Sequence, residues 1–122
     1  QASYEMDDLV ILFAAGNSGN ADLTPSIGAP ATCKNCITVG ASENEDGTRQ
    51  ANIDNAPGNM ALFSSTGLAV GGRIKPDVAA PGFMVSSANS NSAGECPVTE
   101  MAGTSMATPI TAGDVALIRQ VH

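Results

Sequence analysis

The chain has no tryptophan, and its aromatic residues amount to one tyrosine and three phenylalanines in 122 positions. A core therefore has to be built from Ala, Val, Ile, Leu and Met, and it will be modest in size. Basic residues are scarce: 5 Lys and Arg stand against 12 Asp and Glu, for a net charge of -7. That balance offers no basic patch and argues against nucleic-acid binding. Its expected role is solubility. No apolar run approaches the roughly 20 residues that a membrane-spanning helix needs. No secretory leader is visible either. The first eight residues are polar, carry three acids and lack an initiating Met, so the chain is expected to be a processed or excised piece. Asn-x-Ser/Thr acceptors for N-glycosylation are missing, as are internal repeats and any linker between domains. What remains is 43% hydrophobic residues, too many for disorder, with Gly 13 and Pro 7 signalling tight turns. Residues 1–122 read as one domain or part of one.

The cysteine count is odd: Cys33, Cys36 and Cys96. At least one thiol has no partner in the chain. Cys33-Lys34-Asn35-Cys36 has C-x-x-C spacing, but zinc needs a fourth ligand, and the single histidine is the terminal His122. Nothing like a thioredoxin pattern surrounds the motif. The expectation is plain thiols or one structural disulfide, with Cys96 joined to Cys33 or Cys36.

Leu9-Val10-Ile11-Leu12-Phe13-Ala14-Ala15 is continuously apolar and stops at Gly16. A parallel strand covered on both faces reads this way. Ile37-Thr38-Val39-Gly40-Ala41 predicts a second strand and Met60-Ala61-Leu62-Phe63-Ser64-Ser65 a weaker third. Residues 43–59 and 87–94 read as polar loops, and 67–72 as a flexible glycine-rich stretch. Asp77-Val78-Ala79-Ala80 leads to a Pro81-Gly82 turn, and Phe83-Met84-Val85-Ser86 predicts another strand. From Thr104 onward, Met106, Ile110, Val115, Leu117 and Ile118 among Ala and Gly predict a helix buried almost all round. Pro109 denies that helix the hydrogen bond to the Ser105 carbonyl, so its first turn should be irregular or capped otherwise. Strands followed by a buried helix give an α/β class.

Ser105 follows Gly103 and Thr104 at the start of this helix. A helix N-terminus presents unpaired N–H groups and partial positive charge. Acyl transfer needs that combination: a hydroxyl nucleophile beside an N–H that can hold an oxyanion. Three residues, Gly-Thr-Ser, are equally a simple helix cap. Asn17, in Ala14-Ala15-Gly16-Asn17-Ser18-Gly19, falls just past the carboxyl end of the first strand, where ligands bind in open α/β sheets. Its amide could donate to an oxyanion, or it could simply belong to a Gly-Asn turn.

Taken together, several runs resemble successive motifs of the subtilisin-like proteases, in the family's order. They are Ala14-Ala15-Gly16-Asn17-Ser18-Gly19, Ile37-Thr38-Val39-Gly40-Ala41, Phe63-Ser64-Ser65-Thr66-Gly67, Lys75-Pro76-Asp77-Val78-Ala79-Ala80-Pro81-Gly82 and Gly103-Thr104-Ser105-Met106-Ala107-Thr108-Pro109. The last run is the most specific, and the resemblance extends from about Leu9 to Gln120. It implies the C-terminal part of a subtilisin-like parallel-sheet catalytic domain, with a buried helix after the nucleophile. Lys75-Pro76-Asp77 and Ile27-Gly28-Ala29-Pro30 look most similar to alkaline, oxidation-resistant bacterial members and related eukaryotic ones.

By this resemblance Ser105 is the nucleophile of a secreted endopeptidase acting on polypeptides through an acyl-enzyme. The Ser105 N–H and the Asn17 side chain are the oxyanion donors. Ala14, Ala15, Gly16, Gly28 and Thr104 are the expected substrate-binding residues, with Gly28 at the back of a pocket, where the absence of a side chain leaves room for a large apolar group. Ala29-Pro30 matches a position where the peptide bond is cis, and Met106 matches an oxidation-sensitive methionine.

No cofactor is required. Calcium is a conceivable structural ion at Glu43-Asn44-Glu45-Asp46-Gly47, although that spacing is not an EF-hand and a solvated loop explains it equally. Asp77 reads as structural, and Asp114 as facing solvent or a cap. The family's order is Asp, His, Ser, and its Asp and His motifs are not in this chain. Asp7, Asp8 and His122 match neither. A serine without a base is a weak nucleophile, so the expected partner is the missing N-terminal part of the catalytic domain. Without that part a sheet edge and one side of the helix are exposed, predicting aggregation or dependence on a partner. The competing readings are a non-catalytic remnant of the fold that binds peptides or a partner, and an unrelated small α/β binding domain.

Overall fold

The computed structural model describes residues 8–20, 24–44, 58–90 and 96–121. Among these, seven strands precede one helix: β1 (Leu12–Ala14), β2 (Ile37–Ser42), β3 (Gly67–Ala69), β4 (Arg73–Lys75), β5 (Val78–Pro81), β6 (Val85–Ala88), β7 (Val98–Met101) and α1 (Thr104–Val121). The centre is a parallel sheet in the order β1-β2-β5. Leu12 pairs with Ile37 and Ala14 with Val39, while Val39 pairs with Val78 and Ser42 with Pro81. Strand β2 lies in the middle, and its Thr38, Val39, Gly40 and Ala41 are all buried. Helix α1 packs across all three strands. The α/β class with its parallel sheet is thus present.

The core is small, as the composition dictates. Val39, Ala41, Ala61, Ala80 and Ala107 form its buried cluster, flanked by Leu12, Ile37, Phe63 and Phe83. Phe63 and Phe83 stack at a tilt, with centroids 6.4 Å apart.

Several expectations need correction. The run 60–65 is not a strand. It contributes one bridge, Met60 with Ser42, and then turns, because Ser64 and Ser65 spend their hydroxyls on neighbouring backbone. The glycine-rich stretch after Thr66 is an ordered antiparallel hairpin of β3 and β4, with Leu68 opposite Ile74. Strand β7, which no periodicity announced, pairs antiparallel with β6. Most of the acidic loop, including Glu45-Asp46-Gly47, and residues 91–94 of the Ser/Asn-rich loop lie outside the described residues, as do Asp7 and His122.

Helix α1 departs most from expectation. Only Thr104 and Ala107 are buried, whereas Leu117, Ile118 and Val121 are 63%, 60% and 80% exposed. Geometry explains the difference. A helix of 18 residues is about 27 Å long, whereas three strands spaced about 4.8 Å apart cover only the turns nearest its N-terminus. The helix runs unbroken through Pro109, and the Thr108 hydroxyl donates to the Thr104 carbonyl at 2.8 Å.

The cysteine expectation also changes. Cys33 and Cys36 are bonded to each other, and Cys96 is free and exposed. The Cys33 N–H donates to the Pro30 carbonyl at 3.1 Å, so the chain turns tightly here. That turn brings the two Cα atoms to 5.9 Å, inside bridging range. Cys96 instead precedes β7, beyond the β6–β7 pairing.

Candidate active site

Three chain segments meet at the carboxyl end of the sheet. The first is the exit of β1. The Ala15 N–H extends the ladder to the Val39 carbonyl at 2.9 Å, and then Gly16 adopts a φ of 105°. Only glycine takes that conformation without cost, so the strand ends there and the chain swings to Asn17. Ser65, from the second segment, holds this loop. Its N–H donates to the Gly16 carbonyl at 2.9 Å, and its Oγ accepts the Ser18 N–H at 3.0 Å.

The third segment is the start of α1. Gly103 is tied to the exit of β5, where its N–H donates to the Gly82 carbonyl at 2.7 Å. A Cβ on Gly82 would sit 2.5 Å from the Ala41 Cβ and 2.9 Å from the Gly103 carbonyl oxygen, so this approach requires glycine.

Thr104 joins the first and third segments. Its N–H and its hydroxyl both donate to Asn17 Oδ1, at 2.9 and 3.0 Å. Its Oγ1 in turn accepts the Gly16 N–H at 3.2 Å. With Oδ1 fully engaged, the Asn17 amide can only present its NH₂ end outward. Nδ2 lies 3.3 Å from the point where a Cβ on Gly103 would sit, and the Ser105 nitrogen lies 3.7 Å from the same point. Two N–H-bearing nitrogens therefore flank one space kept open by a glycine. The Ser105 side chain is exposed beside it.

A pocket of about 230 Å³ opens next to Asn17. Ala14, Ala15, Gly16 and Gly28 line it, as does the cis Ala29-Pro30 unit. Nothing lies within 4 Å of a Cβ built on Gly28, so that side of the pocket is open. Thr104 is not among the lining residues. It is 1% exposed and faces inward to Asn17 and Gly16, so its contribution is to position the loop. A larger groove, about 570 Å³, flanks Ser105 on the side of β6 and β7 and is lined by Met101, Met106, Pro109 and Ile110 among others.

Other charged candidates fall elsewhere. The Asp8 carbonyl accepts from Arg119, 14 residues along α1 from Ser105 and so about 21 Å away by helical rise. Asp114 is exposed. Asp77 is a staple under β2: its Oδ2 accepts the Thr38 N–H at 2.7 Å and the buried Lys75 ammonium at 2.6 Å. Burial pulls the Asp77 carboxyl upward, but Lys75 and Thr38 outweigh it and hold its pKa below the ordinary 3.8. Glu43 is buried, with Oε2 lacking a partner among the described residues. It is one carboxylate, and no group of three or more His, Cys, Asp or Glu able to hold a metal ion occurs among the described residues. No helix among them is long and apolar enough to cross a membrane.

Ser105 and Asn17 stand out in sequence at a helix start and a strand end, whereas Ser65 carries no such signal. Its place in a motif run was the only hint.

Comparison with known proteins bears directly on this arrangement. The profile of the subtilase family matches residues 2–122. The serine protease AprX of Bacillus subtilis is 39% identical over 122 aligned residues, covering 92% of this chain and 26% of that protein. Subtilisin DY of Bacillus licheniformis is 36% identical over 110 residues, covering 90% of this chain and 32% of its own length. Among solved structures, the prenylagaramide maturation protease PagA superposes with a TM-score of 0.67 at 25% identity, covering 93% of this chain and 33% of that one. The chain thus spans about a quarter to a third of these relatives. With the fold, the motif order and the family profile in agreement, the chain belongs to the subtilase family.

Proposed function

We propose that this segment is the nucleophile-bearing part of a secreted subtilisin-like serine endopeptidase. Ser105 attacks the scissile carbonyl and forms the acyl-enzyme. The Ser105 N–H and the Asn17 NH₂ stabilise the oxyanion that develops. The pocket of Ala14, Ala15, Gly16 and Gly28 receives the side chain on the acyl side of the scissile bond. An Asp and a His come from sequence upstream, as the family's order requires. Calcium, if bound, is structural and takes no part in the steps.

The observation that carries this reading is the doubly anchored Asn17. Two Thr104 donors fix its oxygen, which aims its nitrogen at the space beside the Ser105 N–H. A helix cap alone would not need this. The Cys33–Cys36 disulfide supports an oxidising compartment. The exposed apolar flank of α1 supports completion by further chain.

The test is fluorophosphonate labelling of Ser105, with the segment alone and joined to an upstream part bearing Asp and His. Labelling of the joined form, lost in Ser105→Ala, is the expected result. Absence of labelling in both forms overturns the reading.

A further inference from the structure

The pocket beside Asn17 has an uncharged wall with an uneven distribution of polar groups. Ala14, Ala15, Ala29, Pro30 and Ala31 give it apolar surface, while Ser18, Ser26 and Ser65 supply hydroxyls. Ser65 is 1% exposed. Its Oγ accepts the Ser18 N–H at 3.0 Å, and the Ser26 Oγ accepts the Thr66 N–H at 3.3 Å. A hydroxyl has one proton to give in addition to its acceptor sites. Neither proton has an acceptor among the described residues. A backbone N–H occupies one acceptor site of each oxygen, so each hydroxyl keeps its proton to donate. Ser26 is half-buried, but Ser65 is buried, and there a donor without an acceptor is costly and a ligand that supplies one removes the cost.

Resting on the proteolytic reading above, we propose that Ser26 and Ser65 are specificity-determining residues that donate to a carbonyl oxygen on the entering side chain. The substrate class is then polypeptides with glutamine or asparagine on the acyl side of the scissile bond, in preference to Met or Leu of similar size. A carboxylate could accept from the same two hydroxyls but meets no cation in this wall, and a lysine or arginine meets no acid, so a charged side chain loses more hydration than this wall returns. An apolar side chain of the same length fits the volume but leaves both protons unpaired. Sites built to bond a polar group discriminate against analogues that lack it.

The experiment uses the polypeptide that carries this segment together with its upstream Asp- and His-bearing part. Two peptides differing only by Gln or Met on the acyl side are compared by kcat/KM. Their affinities are compared separately, by titration onto the Ser105→Ala form. The expected Gln:Met ratio is about 10 in both measurements, the scale of one or two buried hydrogen bonds. Ser26→Ala should lower the ratio at least threefold, through loss of kcat/KM on the Gln peptide rather than gain on the Met peptide. Ser26→Thr, which keeps the hydroxyl, should restore it. A ratio at or below 1 in the unmodified protein, or a ratio unchanged in Ser26→Ala, overturns the proposal and leaves the protease reading intact. Loss of labelling in the unmodified protein overturns the protease reading itself.

Discussion

The two flanks of Ser105 are built differently. On one side, Gly16, Asn17, Ser65 and Thr104 are linked by backbone and hydroxyl hydrogen bonds of 2.9–3.2 Å around a small pocket. On the other side, an apolar groove of about 570 Å³ runs between β6, β7 and α1, and Met101 and Ile110 remain exposed along it. The hydrogen bonds of the first flank are all made between residues of this chain. The second presents surface that a folded protein normally covers. The hydrogen bonds that hold Asn17 near the Ser105 N–H are therefore local to these residues, while the groove is uncovered among the described residues.

The largest expected effect tests whether the two flanks share one chemistry. In the completed protein, Ser105→Ala should reduce peptide hydrolysis by on the order of 10⁶-fold and abolish fluorophosphonate labelling. Residual hydrolysis within tenfold of the parent would place the nucleophile elsewhere.

Next comes the polar flank. Asn17→Ala should lower kcat by about 10²–10³, the scale known for losing one oxyanion donor in subtilisin itself, with KM little changed. An effect confined to KM would make Asn17 a binding residue instead. Thr104→Val tests positioning. It removes the hydroxyl that holds Asn17 Oδ1 and the Gly16 N–H, and should lower kcat by about 10–100-fold. Thr104→Ser should recover most of the rate, because the hydroxyl rather than the methyl makes both bonds.

A smaller effect concerns the staple beneath the sheet. Asp77 titrates below its unfolded value, so its contribution is complete at neutral pH. It fades as pH falls through the depressed pKa. Lys75→Met should cost about 1–2 kcal/mol at pH 7 by urea unfolding, the buried-pair cost discounted because Asp77 is more than a third exposed. It should also move acid unfolding to higher pH. An unchanged acid midpoint would show that the ion pair is not what protects β2.

The weakest effect concerns the exposed C-terminal end of α1. The 122 residues alone should self-associate, and Leu117→Lys with Ile118→Lys should shift their weight-average mass toward monomer in sedimentation.

Much of the polar flank could be read in sequence. Gly16 after an unbroken apolar run signals the end of a parallel strand, and a Gly-Thr-Ser at a helix start puts a hydroxyl among unpaired N–H groups. Strand β2 was also legible as a short strand, from Ile37-Thr38-Val39-Gly40-Ala41, while its parallel pairing on both sides is visible only in the register. Strand β7 was not, since Val98-Thr99-Glu100-Met101 is mostly exposed and takes its form from pairing with β6. The β3–β4 hairpin was hidden by its own glycines, which read as flexibility until the cross-strand register is seen. The disulfide was not legible: the expectation joins Cys96 to Cys33 or Cys36, whereas a local turn brings Cys33 and Cys36 together.

The sequence by itself determined the chemistry of each candidate position: a hydroxyl at 105, an amide at 17, no side chain at 16, 28 and 103. Side-chain identity and local backbone freedom do not depend on distant chain. Only the tertiary structure decided that Thr104 faces Asn17 rather than the pocket, that Ser65 braces the same loop, and that α1 is covered at one end alone. Those outcomes depend on contacts between segments up to 88 residues apart, whose distances no local pattern encodes.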